Sequence, residues 1–357
     1  MAHHALEGAT TMTPRIADDV RRSELGGGET TIGTDFEFDR INPAYTQVFQ
    51  ASQLTVGLVV PVENYAHQPA PNMDGQVEAI QQAEALGFSA LWLRDIPMNV
   101  PSFGDVGQVY DPFVYLGMLA GNTSKIALGV ASIVLPLRHP AHVAKSAFSV
   151  DALSHGRLLL GIASGDRPEE YPAFAADHET RGRRFRESYD YLRQVEASWP
   201  QFSNSLGRLD GSVDLLPKPV GSRLPLLITG SSQQDPQWLA QNGDGWMLYP
   251  RSLEQQKAII RAWRATTAAM NLPAKPAMQP LYIDLVRDAP SQPVPIHLGW
   301  RLGVEQLSDL LIELRAAGVN HVALNLRFNR DPIDSTLHRI AEQVLPNLSS
   351  PLSGADS

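Results

Sequence analysis

From Leu54 onward, short and nearly uninterrupted apolar runs alternate with amphipathic stretches. The runs are LTVGLVVPV (54–62), ALWLR (90–94), IALGVASIVL (126–135), RLLLGIA (157–163), LPLLITG (224–230), GWMLY (245–249), LYIDLV (281–286) and HVALNLRF (321–328). Each has the length of one strand, and near-continuous apolarity means burial on both faces, as in a parallel sheet covered by helices. Asp111-Pro112, Asp235-Pro236 and Asp331-Pro332 read as helix openings, because Asp caps free amides and Pro suits a first turn. Asp74 and Ser252 are further caps, the latter with Gln255 as a capping-box partner. Gly87, Gly121, Gly156, Gly243 and Gly318 each precede the next strand, where a left-handed residue ends a helix. Eight such units over roughly 300 residues suit a single (β/α)8 TIM barrel, an α/β enzyme scaffold, better than the alternative, an open doubly wound sheet.

The first fifty residues lack a sustained apolar period and include Gly26, Gly27 and Gly28. They predict a flexible N-terminal extension (1–50), followed by the barrel (51–350) and a short C-terminal tail (351–357). The whole chain of 357 residues is 43% hydrophobic and 19% charged, with a formal net charge of -9. That acidic balance argues against nucleic-acid or anionic-membrane partners and leaves small-molecule chemistry. No apolar run reaches the roughly 18 residues of a membrane span. Absence of cysteine excludes disulfides, thiolate metal sites and cysteine nucleophiles. No zinc-binding helix motif, calcium loop or nucleophile elbow is present, so no metal is implied. With no secretory pattern at the N-terminus, a cytoplasmic location is expected.

Long loops leave strands 1, 2, 4 and 7, at about 63–73, 95–110, 164–180 and 287–303, and in a barrel such loops build the active-site face. The stretch from Pro200 to Arg223 is instead an excursion or partial lid before strand 5. Strand 4 ends in Ser164, Gly165, Asp166 and Arg167, where small residues admit a ligand and the guanidinium suits a phosphate or carboxylate. The same residues also suit an ordinary turn with a surface ion pair. Gly230, Ser231 and Ser232 lead from strand 5 to the Asp235 cap, forming either a phosphate cradle or a simple capping turn.

The stretch from Leu128 to Gly161, with its PLRHP turn, the helix AKSAFSVDALS and the sequel GRLLLGIASGD, resembles the bacterial luciferase-like flavin-dependent oxidoreductases. Supporting matches are SALWLRD (89–95), TGSSQQDPQWLAQNGDGW (229–246) and GVNHVALNL (318–326), and the resemblance spans about 54–346. It implies a barrel binding FMN or, in one branch, a deazaflavin, with reduced FMN often supplied by a separate flavin reductase. It also implies that Ala131 and Ser132 form a strand bulge, often a non-proline cis peptide, against which the flavin ring rests. Ser164 and Gly165, followed by Asp166 and Arg167, would hold the ribityl and phosphate portion, and Gly230, Ser231 and Ser232 would hold the phosphate.

Where the luciferases carry a His after strand 2, this chain has Ile96 and Pro97. Arg94 and Asp95 stand beside that position as an ion pair that orients substrate or closes the barrel mouth. Tyr282 and Asp284 on strand 7 face the same way and are candidate catalytic groups or a buried structural pair. His297 and Arg301 are candidates for recognising an anionic substrate group. The expected activity is an FMN-dependent monooxygenase acting with reduced FMN and oxygen on a small organic substrate. The alternatives are deazaflavin-dependent hydride transfer and a non-catalytic flavin-binding protein. A homodimer is expected by resemblance, through helices near strands 2 and 3, including AFSVDAL.

Overall fold

A computed structural model describes residues 37–348. Most of the expected N-terminal extension and all of the C-terminal tail lie outside the described residues. Eight parallel strands fall on the eight apolar runs: β1 (Thr55–Val59), β2 (Ala90–Leu93), β3 (Ala127–Val134), β4 (Leu158–Ala163), β5 (Leu226–Thr229), β6 (Gly245–Met247), β7 (Ala277–Leu285) and β8 (His321–Asn325). Neighbours in sequence pair in space, and β8 pairs with β1, so the sheet closes. Outside it run α2 (Gln76–Ala85), α3 (Pro112–Asn122), α4 (Pro140–Leu153), α5 (Arg181–Gln194), α6 (Pro236–Asn242), α7 (Leu253–Ala269), α8 (Val304–Ala316) and α9 (Ile333–Gln343), one after each strand. This is the (β/α)8 barrel.

Residues 41–49, which the sequence places with the loose extension, instead pack one face into the barrel. Asn42 caps a short helix α1 (Pro43–Val48), and Ile41, Ala44, Tyr45, Val48 and Phe49 pack against Trp92, Leu159 and Met278 in the barrel lumen. Tyr45 donates to the Asp244 carbonyl at 2.6 Å and Asn42 to the Leu158 carbonyl at 2.8 Å, both at strand N-terminal ends. The segment therefore closes the end of the barrel opposite the site face. One and a half turns carry too little periodicity to be seen in the sequence.

The lumen follows strand alternation. Trp92 points inward and is fully buried, and the space for its ring comes from Gly129 on β3, where an added Cβ would lie 2.4 Å from the indole. The opposite faces of the strands, with Leu91, Leu128, Leu160, Ile228, Ile283 and Leu324, form the larger apolar layer under the helices.

Asp111, Asp235 and Ser252 cap α3, α6 and α7. Asp331 does not cap α9; it pairs with Arg339 at 3.0 Å and Arg287 at 3.6 Å. Gly75, not Asp74, occupies the cap of α2, with φ of 63°. Gly87, Gly156 and Gly318 are left-handed as expected, whereas Gly121 lies inside α3 and Gly243 has φ of -68°. The excursion before β5 is a hairpin, Gln201–Asn204 with Gly207–Asp210, packed on α4 and α5 outside the barrel through the ring pair Tyr191 and Phe202 and the contact of His139 with the Leu206 carbonyl. A second hairpin, Val294–Ile296 with Gly299–Leu302, adds to the upper half of β7.

Candidate active site

At the C-terminal end of the barrel, alternation decides which side chains enter the mouth. Ala90, Trp92 and Arg94 share the inward face of β2 and its extension, so Asp95 must point outward. The expected Arg94–Asp95 pair therefore does not form. Asp95 instead receives Arg138 through Nη2 at 2.7 Å and Nε at 3.0 Å, and the Val134 amide at 3.0 Å. That ion pair borders a depression of about 460 Å³ on the outer side of the barrel, shared with Tyr110, Phe113 and Phe174.

Arg94 pairs with Asp105, a residue of the loop after β2 that the sequence reading did not single out. Asp105 is the centre of the mouth. Tyr65, after β1, donates its hydroxyl to Oδ1 at 3.0 Å, and Tyr282, on β7, donates to Oδ2 at 3.0 Å. The Gly107 amide donates to Oδ1 at 2.9 Å, and Arg327, after β8, lies 3.3 Å away. Burial pushes the Asp105 pKa up, but Arg94, the Gly107 amide and Arg327 outweigh it and hold it at about 2. Burial, with the Asp105 charge beside it, raises Tyr282 to about 12, and Tyr65 is raised further by the same causes. At neutral pH the cluster is a carboxylate held between two protonated phenols and two guanidiniums.

Asp284, one inward position beyond Tyr282, is fully buried and paired with Arg301 at 2.7 Å and Arg330 at 3.3 Å. Both Asp284 and Arg301 are thus engaged with each other. His297 sits exposed on the rim, its ring 5.6 Å from Tyr282 and 6.2 Å from Phe328.

Across the mouth, the Ala131–Ser132 peptide is cis and the register between β3 and β4 shifts between Val130 and Ile133. The Ser132 hydroxyl shares a hydrogen bond with Thr229 on β5. Ser164 is buried and its carbonyl accepts from Tyr171. Gly165 has φ of 79°, and a Cβ there would lie 2.7 Å from Val134, so the turn requires glycine. Asp166 is exposed. Arg167 turns away from β5: its Nη2 donates to the Asp105 carbonyl at 3.4 Å, and it lies 4.7 Å over the Phe103 ring.

After β5, Gly230 and Ser232 have φ of 54° and 46°. The Trp246 indole fixes the Gly230 carbonyl at 2.8 Å and the Ser232 hydroxyl bonds the Thr229 carbonyl at 2.8 Å. Among the described residues no acceptor is recorded for the Ser231 and Ser232 amides. Gln234 bonds the Gly182 carbonyl at 2.8 Å, which brings this turn against the start of α5. There, Arg181 and Arg184 each have a buried, unpartnered Nε. Sequence reasoning missed both arginines, and also Tyr65, Asp105 and Arg327. Arg327 was accessible to it, since it continues the inward series His321, Ala323, Asn325; Asp105 and Tyr65 lie in loops without period. Among the described residues no group of His, Asp and Glu that could hold a metal is found, and no helix is long and apolar enough to cross a membrane.

Comparison with known proteins agrees with this architecture. An uncharacterized protein of Mycobacterium tuberculosis is 30% identical over 211 residues, covering 52% of this chain and 73% of that protein. The alkanal monooxygenase beta chain of Photorhabdus luminescens is 36% identical over 93 residues, covering 26% of this chain and 29% of that one. Among solved structures, an F420-dependent secondary alcohol dehydrogenase superimposes with a TM-score of 0.68 at 17% identity, covering 84% of this chain and all of the other. The oxygenating constituent of 3,6-diketocamphane monooxygenase of Pseudomonas putida, solved with FMN, gives 0.67 at 13%, covering 84% of this chain and all of the other. These two likenesses concern the fold. The family profile described as luciferase-like monooxygenase matches residues 54–283, more than half of the chain, and the protein therefore belongs to the luciferase-like monooxygenase family of oxidoreductases.

Proposed function

We propose that the protein is an FMN-dependent monooxygenase that takes reduced FMN from a separate flavin reductase and acts with oxygen on a small organic substrate. The observation that carries this reading is the cradle between β5 and α5. Two amides without a protein acceptor among the described residues, Ser231 and Ser232, and two buried, unpartnered guanidinium Nε groups, of Arg181 and Arg184, lie on segments that the Gln234–Gly182 hydrogen bond joins, a donor set suited to a phosphate monoester. It lies on the same side of the mouth as the cis Ala131–Ser132 peptide, which would support the ring, with Ser164, Gly165 and Asp166 between them along the ribityl chain. Monooxygenase chemistry is favoured over deazaflavin hydride transfer because the sequence relatives with named activities include the alkanal, limonene and 4-hydroxyprotoasukamycin monooxygenases.

Reduced FMN, when bound, supplies the activation of oxygen. The chain's own part is to hold and shield. Asp105, with a pKa of about 2, is a poor base at neutral pH. It orients Tyr65 and Tyr282, whose hydroxyls stay protonated. The loop after β2 and the hairpin after β7 restrict water. Asp284 and Arg301 hold that hairpin to β7.

The test is equilibrium binding of FMN, riboflavin and deazaflavin, oxidised and reduced, to the purified protein. FMN is expected at micromolar affinity with riboflavin about tenfold weaker or more, and Arg184→Gln should close that gap by weakening FMN alone. Preference for the deazaflavin would replace the monooxygenase reading with hydride transfer. Absence of micromolar affinity for all of them would overturn both.

A further inference from the structure

Three guanidiniums converge on Asp105, and they are not equally engaged. Arg94 is committed to the carboxylate. Arg327 reaches Oδ1 only at 3.3 Å, its Nε is buried without a partner, and its guanidinium lies 4.9 Å from the Tyr65 ring and 5.4 Å from the Phe328 ring. Arg167 is the least engaged. It donates to the Asp105 carbonyl at 3.4 Å, its Nη1 is buried without a hydrogen-bond partner, and the nearest carboxylate, Glu170, is 3.9 Å away. The side chains of Arg167 and Arg327 are only 9% and 11% exposed.

Burying a guanidinium with unmet donors is costly, and crowding it against a second cation adds to the cost. Burial, and next the Arg94 charge, lower the Arg167 pKa. An anion bound at this point relieves both. The arginine fork matches two oxygens of a carboxylate or sulfonate, and the stacked rings of Phe103, Tyr65 and Phe328 fix the planes of the two forks. Half-exposed Phe103, Tyr249 and Leu298 offer apolar surface for the remainder of such a molecule.

We propose that the substrate is an organic anion, a carboxylate or sulfonate, whose charged head group is held by Arg167 and Arg327 beside Asp105. This deepens the monooxygenase reading and rests on it for the fate of the ligand, while the binding step itself involves only this chain. The same oxyanion chemistry has a second source, the phosphate of the flavin. Arg167 faces the loop after β2, whereas Arg181 and Arg184, each with an unpartnered Nε, lie beside the turn after β5, which separates the two.

Calorimetric titration of the full-length protein with benzoate, benzenesulfonate and neutral benzamide, alone and with FMN, tests the proposal. At least one anion is expected to bind about tenfold or more tightly than benzamide. Arg167→Gln and Arg327→Gln should each remove about tenfold of the anion affinity while FMN affinity stays within about twofold, and Arg167→Lys should restore part of the loss. Equal affinity for benzoate and benzamide, no saturable anion binding, or anion binding indifferent to these substitutions overturns it. So does Arg167→Gln weakening FMN but not riboflavin, because the arginine then serves the phosphate. If anion preference persists while no flavin binds, the monooxygenase reading falls and the anion site stands.

Discussion

Asp105 shows how one residue can organise a site without being its reactive group. Two phenols, an amide and two guanidiniums point at it, and the result is a charge too well stabilised to accept a proton at neutral pH. At the other end of the lumen, His321 is the opposite case, a buried base kept neutral. The Trp92 indole donates to its Nε2 at 2.8 Å, so Nδ1 carries the proton and donates to Thr55 Oγ1 at 2.7 Å, whose hydroxyl donates to the Val48 carbonyl. Burial lowers the His321 pKa to about 3. The unfolded chain takes up this proton near pH 6.5 and the folded chain does not until about pH 3, so the stability is complete above 6.5 and declines as pH falls between the two. Urea unfolding at pH 7.5 and pH 5 should show a loss of about 2 kcal/mol in the wild type that His321→Gln lacks. Equal losses in both proteins would refute the assignment.

At the level of the element, the two-residue alternation of the strands accounts for most of the site. On β2 it sends Trp92 and Arg94 inward and Asp95 outward; on β7 it sends Tyr282 and Asp284 inward together. The same alternation explains why Gly129 stands beside Trp92. Gly129→Ala places a Cβ 2.4 Å from the indole and should cost about 1–3 kcal/mol, read as a lower urea midpoint. Gly117→Ala, on α3 where a Cβ meets nothing within 4 Å, serves as the control and should be neutral or stabilising by up to about 1 kcal/mol. Equal midpoints for the two variants would mean that the lumen repacks freely.

For the whole molecule, α3 and the loop before it leave Val114 73%, Val109 52%, Tyr110 51% and Met118 39% exposed, a contiguous apolar surface near strands 2 and 3. We expect a homodimer through it, with Val114→Glu shifting the mass from dimer to monomer by light scattering at micromolar concentration; a monomeric wild type would disprove this. The closed barrel was legible in the chain because burial on both faces writes itself locally, as runs such as IALGVASIVL, and because caps such as Asp111 and Asp235 act within three residues of themselves. Parity put Tyr282 and Asp284 on one face of their strand, and the fold turns that face inward. The partners did not show. Asp105 meets Tyr282 across 177 residues of chain and Tyr65 across 40. Likewise, Arg301 meets Asp284 because the hairpin after β7 pairs alongside that strand, and Arg94 meets Asp105 because the loop after β2 folds back onto it. The sequence by itself determined the strands and the family; the tertiary structure decided which faces turn inward and which charges meet, because an ion pair depends on distance in space and no local pattern encodes it.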